Sequence, residues 1–379
     1  MISKELRIGA FGDVHLGHHK TPSLGILENL RQAFPDNAET GDLDAIVIEG
    51  DLFDRLLTVP DPQVVEIQCW IIHFLRVCQR RDIDIWAVEG TPSHEWRQLQ
   101  MLVTLNEQLA IGARVHYVSQ LSIVYMERFG VNVLFVPDEW RPETDDTWVE
   151  IQQLLKEHHL EQVDFAVMHG AFEHQLPSNV VAPTHRADRF LSIVKHYVFI
   201  GHVHVHTVFE RIIAVGSFDR LTHGEEGPKG HVRVVVKKDG DDEIRFIENK
   251  GAKLYKTIDC TGMELDQALE KVSTLCERLP AQSHVRIAAA TADPILVSLD
   301  TLIKAYPLIH FSSKSTTRKE VNQQTLIDMR QRYQPVAITR ANLPELLLGR
   351  LPDLGLTEAQ VGRAGELLNE YLDRNSGAA

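Results

Sequence analysis

The chain has 379 residues, 44% of them hydrophobic, which is enough for two or three domains with a sizeable core. A net charge of −14 argues against a broad basic face for nucleic acid, because such a face needs Lys and Arg to displace counterions. The net charge does not exclude a nuclease whose bound metal ions supply the local positive charge. No apolar stretch approaches the roughly 20 residues that span a bilayer, and the start lacks the apolar core of a signal peptide, so we expect a cytoplasmic protein with no membrane partner.

Five short apolar runs of strand type end at a glycine flanked by acids or histidines. In chain order they read LRIGAFGDVH, DAIVIEGDLFD, IDIWAVEGTPSHE, VDFAVMHG and YVFIGHVH. Strands that finish side by side gather their last residues at one edge of a sheet, where open α/β folds place their sites. The residues expected at this edge are Asp13, His15, Asp51, His94, His169, His202 and His204.

Between these runs lie amphipathic helical stretches, of which SLGILENLRQAF and PQVVEIQCWIIHFLRVCQRR are the clearest. Strands that alternate with helices predict an α/β core over 1–250. The segment HVRVVVKKDGDDEIRFIENK predicts a hairpin that turns at Asp239-Gly240, because Asp-Gly tolerates the positive φ angles of a tight turn. A mixed sheet or two packed sheets follows from this pattern.

The pattern restarts as a smaller β-α-β-α-β unit over 251–320 and contains no cluster of candidate ligands. We therefore predict a cap or substrate-shaping domain there. Residues 321–379 are predicted to be a linker and a C-terminal helical segment. Its helix would begin with a capping box of Thr357 and Gln360.

Aspartate and histidine in this pattern indicate a metal centre. Asp13 and His15 are two apart, as are His202 and His204, so in extended backbone each pair points to one side. Any one pair alone also fits a turn with surface histidines. Oxygen and imidazole nitrogen suit Mn²⁺, Zn²⁺ or iron, whereas Mg²⁺ prefers oxygen alone. Six ligands exceed what one ion with an open position needs, and Asp51 has two oxygens that could bridge a pair of ions.

Two metals suit phosphate-ester hydrolysis in particular. That reaction requires a barrier reduction on the order of 20 kcal/mol, whereas one general acid or base supplies only about 10²–10⁴-fold. A pair of ions can activate a water and polarise the phosphoryl oxygens together.

The ordered set of D-x-H, GDLFDR, a glycine-led loop ending in His-Glu, His-Gly and G-H-V-H resembles the calcineurin-like metallophosphoesterase superfamily. Within it, the chain is most similar to the SbcD-type nuclease subunits of bacteria and phages, relatives of the meiotic recombination nuclease. The motifs cover about Leu6 to Gly230. The resemblance implies a four-layer αββα sandwich core, followed by a small α/β cap domain and a helical C-terminal tail.

The resemblance also implies roles for single residues. Asp13, His15 and His204 would hold one metal, His169 and His202 the other, and Asp51 would bridge them. His94 would face the scissile phosphate as the catalytic residue, orienting it or protonating the leaving oxygen. Asp54 and Glu95 would lie behind the ligands.

The third motif departs from the family, which usually has Gly-Asn-His-Asp or Gly-Asn-His-Glu with the Asn on the second metal. Here the loop reads Gly90-Thr-Pro-Ser-His94-Glu95. Ser93 is the positional replacement, and a neutral hydroxyl is a weak ligand. We predict a weaker second metal site, completed by Ser93, Thr91 or water.

The first functional hypothesis is a DNA exonuclease or endonuclease subunit in recombination and double-strand-break repair, with two divalent ions, Mn²⁺ before Mg²⁺, Zn²⁺ or iron. Its partners would be DNA, an SbcC-like coiled-coil ATPase and, as an option, a second copy of the chain. The alternatives are a phosphoesterase for a small phosphodiester or nucleotide, and a binding subunit with a weakened metal centre.

Overall fold

The structure is a computed structural model, and it describes residues 5–19, 21–58, 61–138, 144–177, 182–238, 240–316, 348 and 361–368. Residues 1–316 form one compact unit and 317–379 another. None of the helices in the described ranges is both long and apolar enough to cross a bilayer.

The first unit contains three sheets. The first sheet is six-stranded, in the order β12-β11-β1-β2-β3-β4. Its strands are β1 (Leu6–Phe11), β2 (Ala45–Ile48), β3 (Asp84–Val88), β4 (Arg114–Val118), β11 (Gly230–Val236) and β12 (Glu243–Glu248). Strands β1 to β4 are parallel, and β11 and β12 continue the sheet as an antiparallel hairpin. This confirms the predicted hairpin, in which Gly240 has φ 78°.

The second sheet is also six-stranded, in the order β5-β6-β7-β8-β10-β9. Its strands are β5 (Ser122–Met126), β6 (Val131–Val136), β7 (Val163–His169), β8 (Val194–Gly201), β9 (Thr207–Phe209) and β10 (Ile212–Ala214). The central strands β6, β7, β8 and β10 are parallel, and the edge strands β5 and β9 are antiparallel to their neighbours.

Helices cover the outer face of each sheet. They are α1 (Ser23–Ala33), α2 (Ala38–Gly41), α3 (Pro62–Arg80), α4 (Met101–Gln108), α5 (Thr144–Glu157) and α6 (Ala187–Ile193), with short 3₁₀ turns at Gln98–Gln100 and Glu173–Gln175. Helices α1, α3 and α4 pack on the first sheet, and α5 and α6 pack on the second.

Alternation along the strands builds the layers. In β2, Ile46 and Ile48 face the helices, whereas Ala45 and Val47 face the second sheet, as a period of two residues requires. Phe165 and its neighbours on β7 and β8 close the apolar layer between the sheets. The order of layers is therefore helix, sheet, sheet, helix, and the α/β class predicted from the sequence is confirmed.

The third sheet is a parallel one, in the order β13-β14-β15, over Tyr255–Asp259, His284–Ala289 and His310–Ser315. Helices α7 (Leu265–Cys276) and α8 (Leu299–Ala305) and a 3₁₀ turn at Pro294–Ser298 pack with it around a separate apolar cluster. The Tyr255 hydroxyl lies 3.1 Å from Oγ1 of Thr21, in the loop that follows β1. This small α/β part therefore contacts the loop that also carries Asp13 and His15.

Helix α3 buries its apolar face inside the unit, where Trp70, Ile71 and Phe74 join the core beneath the first sheet. In the second unit the structure describes a helix over 361–368. The predicted linker and the capping box of Thr357 and Gln360 lie outside the described residues.

A buried carboxylate joins the two large sheets at the end opposite the ligand loops. Asp84 begins β3 and is 2% exposed. Its Oδ1 accepts hydrogen bonds from Arg114 Nε at 2.5 Å, on β4, and from Arg128 Nη1 at 2.7 Å, in the turn between β5 and β6. Burial acts to raise the pKa of Asp84, but the bonds from His116, Arg114 and Arg128 outweigh it and lower the pKa.

We predict that Asp84→Asn lowers the free energy of unfolding by about 1–3 kcal/mol at pH 7, because two guanidinium groups lose a buried anionic acceptor. The loss of stability is full above pH 3.8, the pKa of the carboxyl in the unfolded chain. It shrinks as the pH falls through the lower pKa that Asp84 has in the folded protein. Urea unfolding at several pH values measures it. The matched control is Asp82→Asn, which contacts the same two arginines but is 68% exposed, and which we expect to change stability by less than about 0.5 kcal/mol. Equal losses in the two variants would contradict the prediction.

Candidate metal centre

The candidate ligands come together where the carboxyl ends of the two large sheets meet. The residue pattern left a mixed sheet or two packed sheets open, and the structure has two sheets, so the ligands gather at the adjoining edges of both rather than at one edge of a single sheet. Strands β1, β2 and β3 belong to the first sheet, and β7 and β8 to the second. Packing the sheets face to face brings the loops after all five strands to the same end of the molecule.

The ligand loops are held by turns rather than by extended backbone. Asp13, His15, Asp51 and His202 have φ angles of 46°, 55°, 49° and 96°. The expectation that the Asp13/His15 and His202/His204 pairs meet through strand alternation is therefore wrong. Left-handed backbone is costly for residues with a side chain and persists where the surroundings impose it, often at functional sites.

Backbone hydrogen bonds hold these turns in place. The amides of Asp13 and His15 donate to the carbonyls of Gly50 and Asp51 at 3.1 and 3.0 Å. Both carboxylate oxygens of Asp13 accept the amide of His202 at 2.9 Å. The loops after β1, β2 and β8 are thus tied to one another across the two sheets.

The glycines of the motifs allow the loops to approach this closely. A Cβ on Gly50, which has φ 87°, would lie 2.6 Å from both the Gly90 Cα and the His169 Nδ1. A Cβ on Gly90 would overlap the backbone nitrogen and Oδ1 of Asp51. Gly50 and Gly90 are therefore packing requirements of the centre.

The ligands fall into two groups whose donor atoms lie within 4.8 Å of one another. Group 1 is Asp13, His15 and His204, and group 2 is Asp51, His169 and His202. These are the two sets that the resemblance implies. The same criterion also joins Asp51 and His15 with His94, so Asp51 lies between the groups. A further group of His18, His19 and Asp54 lies beside them.

The outer nitrogens of three histidines lie beside acceptors, and two of these nitrogens donate hydrogen bonds. His169 Nδ1 donates to the Glu49 carbonyl at 2.6 Å, and His204 Nδ1 donates to Glu225 Oε1 at 3.0 Å. His15 Nδ1 lies 3.2 Å from Asp54 Oδ1, in a contact too bent for a full hydrogen bond. A proton on Nδ1 leaves the lone pair on Nε2, and outer acceptors of this kind orient histidine ligands in metal sites.

The positions of the histidine nitrogens in group 1 fit a bound cation. The Nε2 atoms of His15 and His204 lie 3.0 Å apart, and with both protons on Nδ1 their lone pairs face each other. Two nitrogens bound to one ion at about 2.1 Å are separated by roughly 3.0–3.4 Å. A bound cation between them would turn this repulsion into coordination.

Group 2 is centred on a carboxylate that is 1% exposed. Asp51 Oδ2 lies 3.4 Å from His169 Nε2 and 2.9 Å from His94 Nδ1. Burial acts to raise the pKa of Asp51, but the charge of His169 and these hydrogen bonds outweigh it and hold the pKa well below its usual range. Asp51 is therefore an anion, as a bridging ligand must be.

The third-motif loop supplies Thr91 to this group rather than Ser93. The Thr91 hydroxyl lies 3.1 Å from Asp51 Oδ2, 3.2 Å from His169 Nε2 and 3.5 Å from His202 Nδ1. The Thr91 amide also donates to Asp51 Oδ1 at 2.6 Å. Ser93 is exposed, and among the described residues no contact joins it to group 2.

Glu95, predicted to lie behind the ligands, ties two of their loops together. It is fully buried and accepts the amides of Leu52 at 2.6 Å and Gly90 at 2.7 Å. Burial, with the nearby charges of Asp51 and Glu89, raises the pKa of Glu95 to about 8.

Sequence reasoning missed three acids around the centre. Glu225 orients His204 and follows no strand, so its sequence position gives no signal. Glu49 is fully buried below the ligands, and neither carboxylate oxygen has a hydrogen-bond partner among the described residues; burial raises its pKa well above 4.5. Asp138 follows β6, and its charge acts on His169 and His202.

No protein-family profile and no curated protein matches the chain. Among solved structures 51 chains match; one crystal structure aligns with 64% of this chain and 99% of its own at 12% identity, with a TM-score of 0.38. A likeness this distant carries no argument about fold or function.

We predict that Glu225→Gln weakens the Mn²⁺ affinity of group 1 by about 10-fold, at the lower end of the effect of removing an outer acceptor, because the amide oxygen can still accept one bond from His204. Metal titration against a competing chelator measures it. The control is Glu226→Gln, since the neighbouring Glu226 accepts the Thr257 amide at 2.8 Å instead of contacting a ligand. Wild-type affinity in the Glu225 variant, or an equal loss in both, would contradict the assignment.

Proposed function

We propose that the chain is a metal-dependent phosphodiesterase with the calcineurin-like metallophosphoesterase αββα sandwich, acting as a DNA exonuclease or endonuclease subunit in recombination and double-strand-break repair. The observation that carries the proposal is the pair of Asp/His groups that meet at Asp51, with His94 on the same carboxylate oxygen. An ion with a purely structural role would need only one group of ligands, which would fill all its coordination positions.

The donor atoms support two divalent ions, with Mn²⁺ favoured and Mg²⁺, Zn²⁺ or iron as alternatives. Group 1 would hold one ion, group 2 the other, and Asp51 would contact both. When bound, such ions activate a water and polarise the oxygens of a phosphodiester.

His94 is the candidate catalytic residue. Its side chain is 34% exposed, more than the side chains of His15, His169 and His204. The hydrogen bond to Asp51 raises the pKa of His94 against the effect of burial. In its protonated form, a histidine can hydrogen-bond a phosphoryl oxygen and protonate a leaving alkoxide.

DNA as substrate requires local positive charge in a chain of net charge −14. Of the basic residues near the motifs, Arg186, Arg189 and Lys229 are paired with carboxylates, and Arg220 is buried. Arg97 is exposed, three residues after His94, and has no ion pair among the described residues. The SbcC-like ATPase and the homodimer remain part of the proposal through the resemblance alone.

The deciding experiment measures Mn²⁺-dependent cleavage of linear duplex DNA and of bis-p-nitrophenyl phosphate. We expect DNA cleavage that chelator abolishes, and a loss of about 10²–10⁴-fold in His94→Ala. Asp51→Asn should lose at least as much, because Asp51 contacts both groups. His158→Ala, on the outer helical side of the chain, serves as the control histidine variant.

The outcomes separate the competing functions. Turnover of the small diester without DNA cleavage would favour the small-phosphodiester enzyme. No turnover of either by the fully metallated protein would leave the binding subunit. Activity that survives Asp51→Asn would contradict a reaction at this centre.

The missing Asn of the third motif gives a separate prediction. We expect group 2 to bind Mn²⁺ more weakly than group 1, and Thr91→Ala to weaken it by a further 5-fold or more, because the hydroxyl that lies among its ligands is removed. Thr91→Ser should restore the affinity. Metal titration of each variant measures this, and Ser93→Ala is the matched control. Two equally tight sites in wild type and in both alanine variants would contradict it.

A further inference from the structure

A cleft of about 390 Å³ opens beside the third-motif loop. Its wall is formed in part by Gly90, the residue before Thr91. The residues that matter here are Glu89, Gly90, Trp96, Arg97, Ser119 and Asp138. One short loop therefore presents His94 and Thr91 to the metal centre and Trp96 and Arg97 to the cleft.

Trp96 is unusually placed for a large apolar side chain. It is 60% exposed, whereas Trp70 and Trp86 are almost fully buried. An indole at the rim of a concave site offers a rigid flat face, a property that makes Trp common in binding sites. Its position one residue after the fully buried Glu95 fixes the base of the side chain.

The backbone is held in a costly conformation to present these two side chains. Trp96 and Arg97 have φ angles of 37° and 66°, consecutive left-handed residues without glycine. Glu89, which is 7% exposed, accepts the Arg97 amide and the Tyr117 hydroxyl and thereby holds the turn. Strain that the surroundings impose in this way is characteristic of functional positions.

The charges of the cleft discriminate between ligands. The carboxylates of Glu89 and Asp138 line it and oppose a phosphate inside it. Acceptors of this kind match the amino and imino donors on the edge of a nucleobase. Arg97 at the rim supplies a cation for a phosphate next to the base.

We propose that this cleft binds one unstacked nucleobase of the substrate strand, next to the scissile phosphate, with the base stacked on Trp96 and the adjoining phosphate on Arg97. This inference rests on the proposed function for its substrate. The cleft would then be a positioning site that holds the strand across the metal centre. Because a paired base cannot enter it, single-stranded ends and unpaired nucleotides would be preferred as substrates.

The test couples Trp96 to single bases of the substrate. Oligonucleotides that carry one abasic site at successive positions around the cleavage point are cleaved by wild type and by Trp96→Ala. We expect one position at which the abasic site lowers kcat/KM of wild type by about 5- to 150-fold, the range of one lost base stack. The same abasic site should change kcat/KM of Trp96→Ala by less than 2-fold. Trp96→Phe should restore the discrimination, and Trp148→Phe is the control at a tryptophan outside the cleft.

Binding without turnover separates failure of this inference from failure of the proposed function. Deoxyadenosine monophosphate should quench the fluorescence of the exposed Trp96 in wild type but not in Trp96→Phe, and deoxyribose 5-phosphate should not. Cleavage of DNA with equal abasic effects in wild type and Trp96→Ala at every position would overturn the inference alone. Base-dependent quenching in a protein that cleaves no DNA would support the cleft and overturn the nuclease. Neither cleavage nor quenching would overturn both.

Discussion

The centre depends on a single buried carboxylate. Asp51 receives hydrogen bonds from the amide and hydroxyl of Thr91 and from His94, and it lies 3.4 Å from His169. An anion with 1% of its surface exposed is stable only when nearby donors or cations compensate its lost hydration. These partners come from the loop after β3 and from the last residue of β7, and the two strands belong to different sheets. The buried charge of Asp51 is therefore stable only while the two sheets stay packed together at this end.

Close approach of those loops explains the repeated glycines. Gly50 and Gly90 face each other across a distance that leaves no room for a Cβ, and Asp51, next to Gly50, has a left-handed backbone with φ 49°. Rigid, strained loops hold ligands without the reorganisation that flexible side chains would need on binding. Local sequence and global packing are thus consistent here, because Gly50 serves both the turn and the contact between loops.

The sequence predicted which strands end in ligands but not how those strands are arranged. The α/β class, the β11–β12 hairpin and the small parallel unit follow from local periodicity and turn residues, which a single sequence carries. The division of β1–β3 and β7–β8 between two sheets depends on long-range pairing, which periodicity does not encode. Glu225 and Asp138 could not be predicted for the same reason, since only the folded chain brings them near histidines that are distant in sequence. Thr91 replaces Ser93 in group 2 because the turn before His94 directs the earlier hydroxyl inward, and residue spacing does not determine that direction.

Under the proposed function, the buried carboxylates of the centre determine the order in which metal ions and DNA bind. Asp13 of group 1 and Asp51 of group 2 are both buried, with 0% and 1% of their surface exposed. A phosphodiester that approached this arrangement without cations would meet carboxylate charge at short range, where water screens it poorly. Cations must therefore occupy the centre before a polyanionic strand can reach it, and Arg97 alone cannot replace them. The net charge of −14 then acts against non-specific DNA binding, so that attraction of the strand is confined to the metallated centre and its adjoining cleft.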